Sequence, residues 1–138
     1  MFAKILVAVD GSSRSDTTVT MAIDLAVRYE ADVTVLHVRE YERYEGSDVD
    51  MGPPIPAEQL VRDTVERFRT AGVGDPHGEV RRTSSGNTSD QIVDAAEAAG
   101  AELIVMGSRG MSEWKSLLLG GVANKVVQDA TCPVLLVR

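Results

Sequence analysis

Chemistry in this 138-residue chain is concentrated in the glycines and cations of Leu103–Val122. A short apolar run from Leu103 to Met106 reads as a buried strand and meets Gly107. Gly110 follows after two residues. After nine intervening residues comes the pair Gly120 and Gly121, just ahead of an apolar helical pattern. Glycine removes the Cβ that would hold a ligand off the backbone and permits φ > 0 in a tight loop. A strand that passes through such a loop into a helix leaves unpaired N–H groups pointing outward, an arrangement suited to an anion. Arg109 and Lys115 add two cations, so the stretch reads as a phosphate cradle. It is not the common dinucleotide fingerprint, because Gly107 and Gly110 lack the close G-x-G-x-x-G spacing and follow a late strand. No G-x-x-x-x-G-K-[ST] occurs, which excludes a P-loop.

Other residues have two readings each. Asp10, at the end of an apolar run, is either a cap on the following helix or a ligand contact. Gly107 and Gly110 form an ordinary turn or touch a ligand, and Gly120-Gly121 allow close helix packing or phosphate contact. Arg109 and Lys115 are solvated cations or phosphate partners. Trp114 packs on the surface or clasps a ligand. His37 lies inside a strand-like run and reads as a packed histidine, His77 as a loop residue. Two histidines, one cysteine and no H-E-x-x-H argue against a transition-metal site.

The elements that must position these residues follow from periodicity. Residues 3–9 are nearly all apolar and end at Asp10, as in a strand covered on both faces. Asp10 to Ser13 supplies turn chemistry. From about Asp16 to Tyr29, Val19, Ala22, Ile23 and Ala26 recur at helical spacing. Asp32–Val38 is a second, β-branched strand. Arg39–Pro56 is charged, aperiodic and rich in proline, and reads as a long solvated loop or, alternatively, a lid. A helix begins near Pro56, buries Val61, Val65 and Phe68, and ends at Gly72. A weak strand spans Glu79–Thr83. Thr88 and Gln91 fit a capping box opening a helix that stops at Gly100. Glu102–Met106 is the fourth strand. The final helix carries Val122, Ala123, Val126, Val127 and Ala130, and Val134–Val137 is a fifth strand.

Five strands alternating with four helices predict an α/β domain over residues 1–138. Its sheet is a doubly wound, Rossmann-like parallel one, of order 3-2-1-4-5, with helices on both faces. In such sheets ligands bind beyond the carboxyl ends of the strands where the order reverses, which brings Asp10 and the Gly107 loop to one crevice.

Composition agrees with one globular domain: 43% hydrophobic and 25% charged residues, with no apolar run long enough to span a bilayer. The N-terminus begins at once with strand-like sequence and lacks signal-peptide features, so a cytoplasmic setting is expected. Cys132 is the only cysteine, which rules out an intrachain disulfide. The net charge of −7 and pI near 4.8 repel nucleic acid and anionic membranes, and neither is expected as a partner.

The glycine stretch resembles the G-x2-G-x9-G-(S/T) motif of nucleotide-binding members of the universal stress protein family, whose spacing Gly107, Gly110 and Gly120 match. The resemblance continues through Ile5–Ser12, Val35–Val38, Gly86, Ile104–Gly110 and Cys132–Val137, and so covers nearly the whole chain. It implies an adenine nucleotide, ATP or AMP, with or without Mg2+. Asp10 and the main chain of Ala8 and Val9 would meet the adenosine end, and Val38 would offer backbone hydrogen bonds to adenine. Met106 and Gly107 would line the ribose. Amides of Ser108, Arg109 and Gly110, and of Gly120, Gly121 and Val122, would hold phosphates. It further implies a homodimer through Val134–Val137 and a regulatory role in stress response.

One departure matters. Gly121 stands where the motif has Ser or Thr, which keeps an amide and removes a hydroxyl. A hydrogen bond to a charged group contributes about 1.5–3 kcal/mol, so the loss weakens the phosphate contact by roughly ten- to a hundredfold. A second reading is therefore a dimeric interaction protein of the same fold that does not bind ATP tightly. Slow ATP hydrolysis ranks last, since Glu113 and Asp10 are the only carboxylates at hand and neither has an activating partner.

Overall fold

The computed structural model describes residues 1–108 and 119–138. In chain order the elements are β1 (Lys4–Ala8), α1 (Ser15–Tyr29), β2 (Asp32–Tyr44), β3 (Ser47–Asp50), α2 (Ala57–Thr70), β4 (His77–Ser84), α3 (Thr88–Ala99), β5 (Leu103–Gly107), α4 (Gly121–Asp129) and β6 (Val134–Val137). The parallel strands lie in the order β4-β2-β1-β5-β6, which is the expected 3-2-1-4-5 once β3 is set aside.

Strand alternation divides the core in two. Ile5, Val7, Val33 and Val35 face α1 and α2, where they meet Val19, Ala22 and the fully buried Phe68. Leu6, Leu36, Ile104 and Met106 face α3 and α4, against Ile92, Ala96 and Val126. Burying each such side chain contributes about 1.5–3 kcal/mol, so both layers are held to the sheet chiefly by apolar area. Within α4 the inward face is Ala123 and Val126, whereas Val122 and Val127 are 37% and 47% exposed.

The segment Arg39–Pro56 departs from expectation. β2 runs on to Tyr44 and folds back through Glu45 and Gly46 into β3, an antiparallel hairpin that makes a sixth strand. Both turn residues have positive φ, 49° and 80°, as a two-residue hairpin turn of matching twist requires. The pattern was not visible as a strand because every side chain from residue 41 to 50 is exposed, so the segment carries no apolar alternation. The third parallel strand, β4, is also longer than Glu79–Thr83, because eight of its residues register with Thr34–Tyr41.

Past the hairpin, Arg39 fastens the chain. Its guanidinium is buried; Nε donates to Asp50 at 2.9 Å, one terminal nitrogen to the Ile55 carbonyl at 3.1 Å and the other to the Pro53 carbonyl at 2.6 Å. Two of these acceptors are main-chain oxygens of the segment that follows β3. Asp50 also accepts from the Gly52 amide at 2.8 Å, and this bond, followed by Arg39, holds its carboxyl below the usual range. Pro53 in turn rests on Gly11, where a Cβ would lie 2.7 Å from Pro53 Cγ and φ is +84°. Neither solvated loop nor lid describes this segment: it is a hairpin followed by a pinned strap. Replacing Arg39 with Met keeps the apolar stem and removes the donors. The expected result is a loss of about 2–4 kcal/mol, read from urea unfolding, together with faster amide exchange at Gly52 and Ile55.

Candidate binding site

The site begins with a mismatch of strand lengths. The last bond between β1 and β2 runs from the Val9 amide to the Leu36 carbonyl, at 2.9 Å. β1 ends there and the chain turns away at Asp10. Pairing along the same edge of β2 resumes where the Met51 amide donates to the Glu40 carbonyl, also at 2.9 Å. Backbone polar groups on a strand alternate between its two edges, so the N–H and C=O of Val38 point to the edge used by Leu36 and Glu40. They face the gap between β1 and β3. Val38 is mid-strand, and its exposed main-chain edge comes from the neighbour stopping short.

Below that gap lies a cleft of about 630 Å3, including its open mouth. Its floor is apolar, built from Ala8, Leu36, Val38 and Met106, with Ile92 of α3 on one side and Val122 and Ala123 of α4 on the other. Asp10, Ser12, Arg14, Ser15 and Thr18 form a polar corner at the start of α1. The first turns of α1, α3 and α4 thus all border one cavity. Their partial positive charge favours an anionic group, while the floor favours a flat apolar one.

The residues expected at the site divide accordingly. Ala8, Val9, Asp10, Val38, Met106, Gly107 and Val122 line the cleft. Gly121 is the first residue of α4. Its amide and that of Val122 belong to the first turn, where no intrahelical acceptor exists. The amides of Ser108 and Gly120 are spent within the fold. Ser108 donates to the Val137 carbonyl and Gly120 to the Ser108 carbonyl, both at 2.8 Å. These two bonds tie β5, β6 and α4 together, and neither amide is left for a phosphate. Arg109, Gly110, Glu113, Trp114 and Lys115 lie outside the described residues.

Asp10 has a structural role. Its Oδ1 accepts from the Ser12 amide at 2.9 Å and from Ser15 Oγ at 2.8 Å, which closes the turn into α1. The same carboxylate borders the cleft, and a second oxygen remains for other work. Ser12 Oγ is closed off from solvent and has no hydrogen-bonding partner among the described residues. The capping box expected at α3 is not made. Thr88 Oγ1 donates instead to Glu40, Gln91 receives Arg81, and no side chain caps the helix at Asn87. A partner 48 residues away on β2 has outcompeted the local one, and it binds the start of α3 to the strand carrying Val38.

Sequence reasoning missed Leu36, Ile92 and Ala123, which read only as core, and Ser12, Arg14, Ser15, Thr18 and Thr88. Arg14 and Thr18 are four residues apart, hence on one helix face below Asp10, and that spacing was a usable signal.

A sequence model of the universal stress protein family matches residues 1–138. A universal stress protein of Thermus aquaticus is 36% identical over 143 residues, and Bacillus subtilis YxiE is 32% identical over 149; both alignments span the whole of each chain. Among solved structures, UspA from Lactobacillus plantarum superposes with a TM-score of 0.79 at 23% identity, covering 99% of this chain and 97% of its own. A universal stress protein in complex with cAMP gives 0.70 at 26% identity, covering 99% and 97%. The Archaeoglobus fulgidus protein in complex with dAMP gives 0.67 at 26%, covering 98% and 97%.

Beside the cleft, His37 is 2% exposed. Its Nδ1 is 2.8 Å from the Val9 carbonyl and must carry the proton to donate there, which leaves Nε2 as an acceptor 3.5 Å from the Arg39 guanidinium. Burial pushes its pKa below the ordinary 6.5. The Val9 bond opposes that shift, Arg39 adds to it, and Asp10 and Asp50 oppose it. The folded state therefore resists a proton that the unfolded chain accepts. Stability is full above about pH 6.5 and is lost as pH falls toward the depressed folded value. Urea midpoints should drop between pH 7.5 and 5.5, and His37→Gln should flatten that dependence.

Proposed function

This chain belongs to the universal stress protein family, and we propose that it is a binding module for an adenine nucleotide, ATP or AMP, held at the carboxyl ends of its strands. In this reading residues 1–138 act as one nucleotide-binding domain in the cytoplasm, with a regulatory role in the stress response. The observation that carries the proposal is the main-chain edge of Val38, unpaired among the described residues, above an apolar floor. An adenine ring offers one donor and adjacent acceptors along an edge, and can pair with an N–H and a C=O of one strand while its faces contact Leu36, Ile92 and Met106. The complexes of family relatives with cAMP and dAMP support the same ligand class.

The remaining roles follow the cleft. The main chain at Ala8 and Val9 and the carboxylate of Asp10 meet the adenosine end, Asp10 as an acceptor for ribose hydroxyls. Met106 and Gly107 border the ribose. Phosphates lie toward the first turn of α4, where Gly121 and Val122 offer amides, and Mg2+ accompanies ATP. The cradle is narrower than the motif implies, since the amides of Ser108 and Gly120 serve the fold.

Titrating ATP with Mg2+, and AMP, into nucleotide-free protein by calorimetry should give saturable heat. No heat and no thermal shift at millimolar ligand would sink the reading. Among the described residues, nothing lies within 4 Å of a Cβ built at residue 121. Gly121→Ser should therefore restore the motif hydroxyl without strain and tighten ATP binding roughly ten- to a hundredfold.

Assembly is part of the proposal. β6 is an edge strand of apolar residues, Val134, Leu135 and Leu136 being only half-buried, and a second copy can pair with it to form a homodimer. Light scattering should report a dimer at micromolar concentration, with or without nucleotide; a monomer would count decisively against it.

A further inference from the structure

Thr88 carries a hydrogen-bonding polarity that its surroundings fix. It opens α3 and borders the cleft, and its Oγ1 donates to the Glu40 carboxylate, which also accepts from Ser85 Oγ at 3.4 Å. A hydroxyl has one proton and two lone pairs, and a carboxylate has no proton to return. With its proton committed to Glu40, Thr88 Oγ1 can serve a ligand only as an acceptor.

Its place in the cleft follows from β2. Side chains two residues apart share a strand face, so Glu40 extends on the face of Leu36 and Val38, which α3 covers. The carboxylate therefore holds Thr88 one two-residue step beyond Val38, and both residues border the same cavity. Along β2 the Val38 carbonyl follows its N–H and lies on the Glu40 side. A purine edge laid on Val38 has its next polar contact, in the chain direction, at Thr88, while Val122 borders the cleft from the α4 side.

The edge of Val38 by itself leaves the base undecided. One N–H beside one C=O pairs with N1 and the 6-amino group of adenine, and equally with O6 and N1–H of a hypoxanthine shifted by one position. We propose that Thr88 is a specificity-determining residue of this cleft, an acceptor for the second hydrogen of a purine 6-amino group, held in that polarity by Glu40. Hypoxanthine has no such hydrogen to give. The inference rests on the nucleotide-binding reading above and adds to it the side chain that chooses among purines.

Calorimetric titration of wild type, Thr88→Val and Thr88→Ser with AMP, IMP and purine riboside 5′-monophosphate tests it, with circular dichroism and melting temperature as controls of folding. The last ligand is AMP without its amino group. Wild type should prefer AMP to both of the others. In Thr88→Val that preference should shrink about two- to tenfold, the worth of one neutral hydrogen bond, and Thr88→Ser should restore it. Thr88→Ala removes the hydroxyl a second way should the valine variant melt below the assay temperature. Equal weakening of all three ligands on loss of the hydroxyl would show a merely structural contact and overturn the proposal. AMP binding with an undiminished preference would remove this inference alone, whereas wild-type protein that binds none of the three would overturn the nucleotide reading along with it.

Discussion

The site depends on β1 being shorter than β2. Among the described residues, β1 leaves the edge of β2 after Val9, and that edge is open until β3 takes it up at Glu40. A buried main-chain group without a partner costs free energy, so an opening of this size survives only where water or a ligand can reach it. The cleft supplies that access. Its apolar floor, its three helix ends and the Val38 edge are consequences of one change of direction at Asp10, which Asp10 itself stabilises by closing the turn on Ser12 and Ser15.

Holding such a gap open requires that its rim not collapse into it. Arg39 performs this on one side by fixing the strap to β2, and His37 links the same guanidinium to the Val9 carbonyl at the end of β1. Glu40 performs it on the other by gripping Thr88 at the start of α3. These contacts involve three residues of β2, His37, Arg39 and Glu40, around the one that faces the gap. Stability and binding are thus joined through a single strand, and the side chains that frame the opening are polar although the core around them is not.

How much of this was legible in the sequence follows from the range of the forces. Ile5–Val7, Val33–Leu36 and Leu103–Met106 announce buried parallel strands because burial on both faces demands nearly continuous apolar runs, interrupted here only by Thr34. That pattern and the helices between were sufficient for the sheet order and the side of the sheet on which ligands lie. The extension of β2 was not legible: Arg39 to Tyr44 are charged residues with a tyrosine at every third position and no two-residue period, and what makes them a strand is pairing with β3 and β4, supplied from outside the segment. Thr88 was misread for the same reason, since its partner is Glu40 and not Gln91. Likewise the spent amides of Ser108 and Gly120 depend on how β5, β6 and α4 meet, and spacing between glycines carries no trace of that.

The outer edges of the sheet at β4 and β6 differ in kind. β4 exposes an edge eight residues long in which Glu79, Arg81 and Arg82 interrupt any apolar surface, whereas β6 is four apolar residues without a charge. Charged edges resist addition of a further strand, and short apolar ones accept it. A sheet with one receptive edge and one refractory edge can grow in a single direction and only once, because a copy joined through β6 presents β4 outward. Edges so different favour discrete association over open-ended polymerisation, because an added strand is offered few places to join.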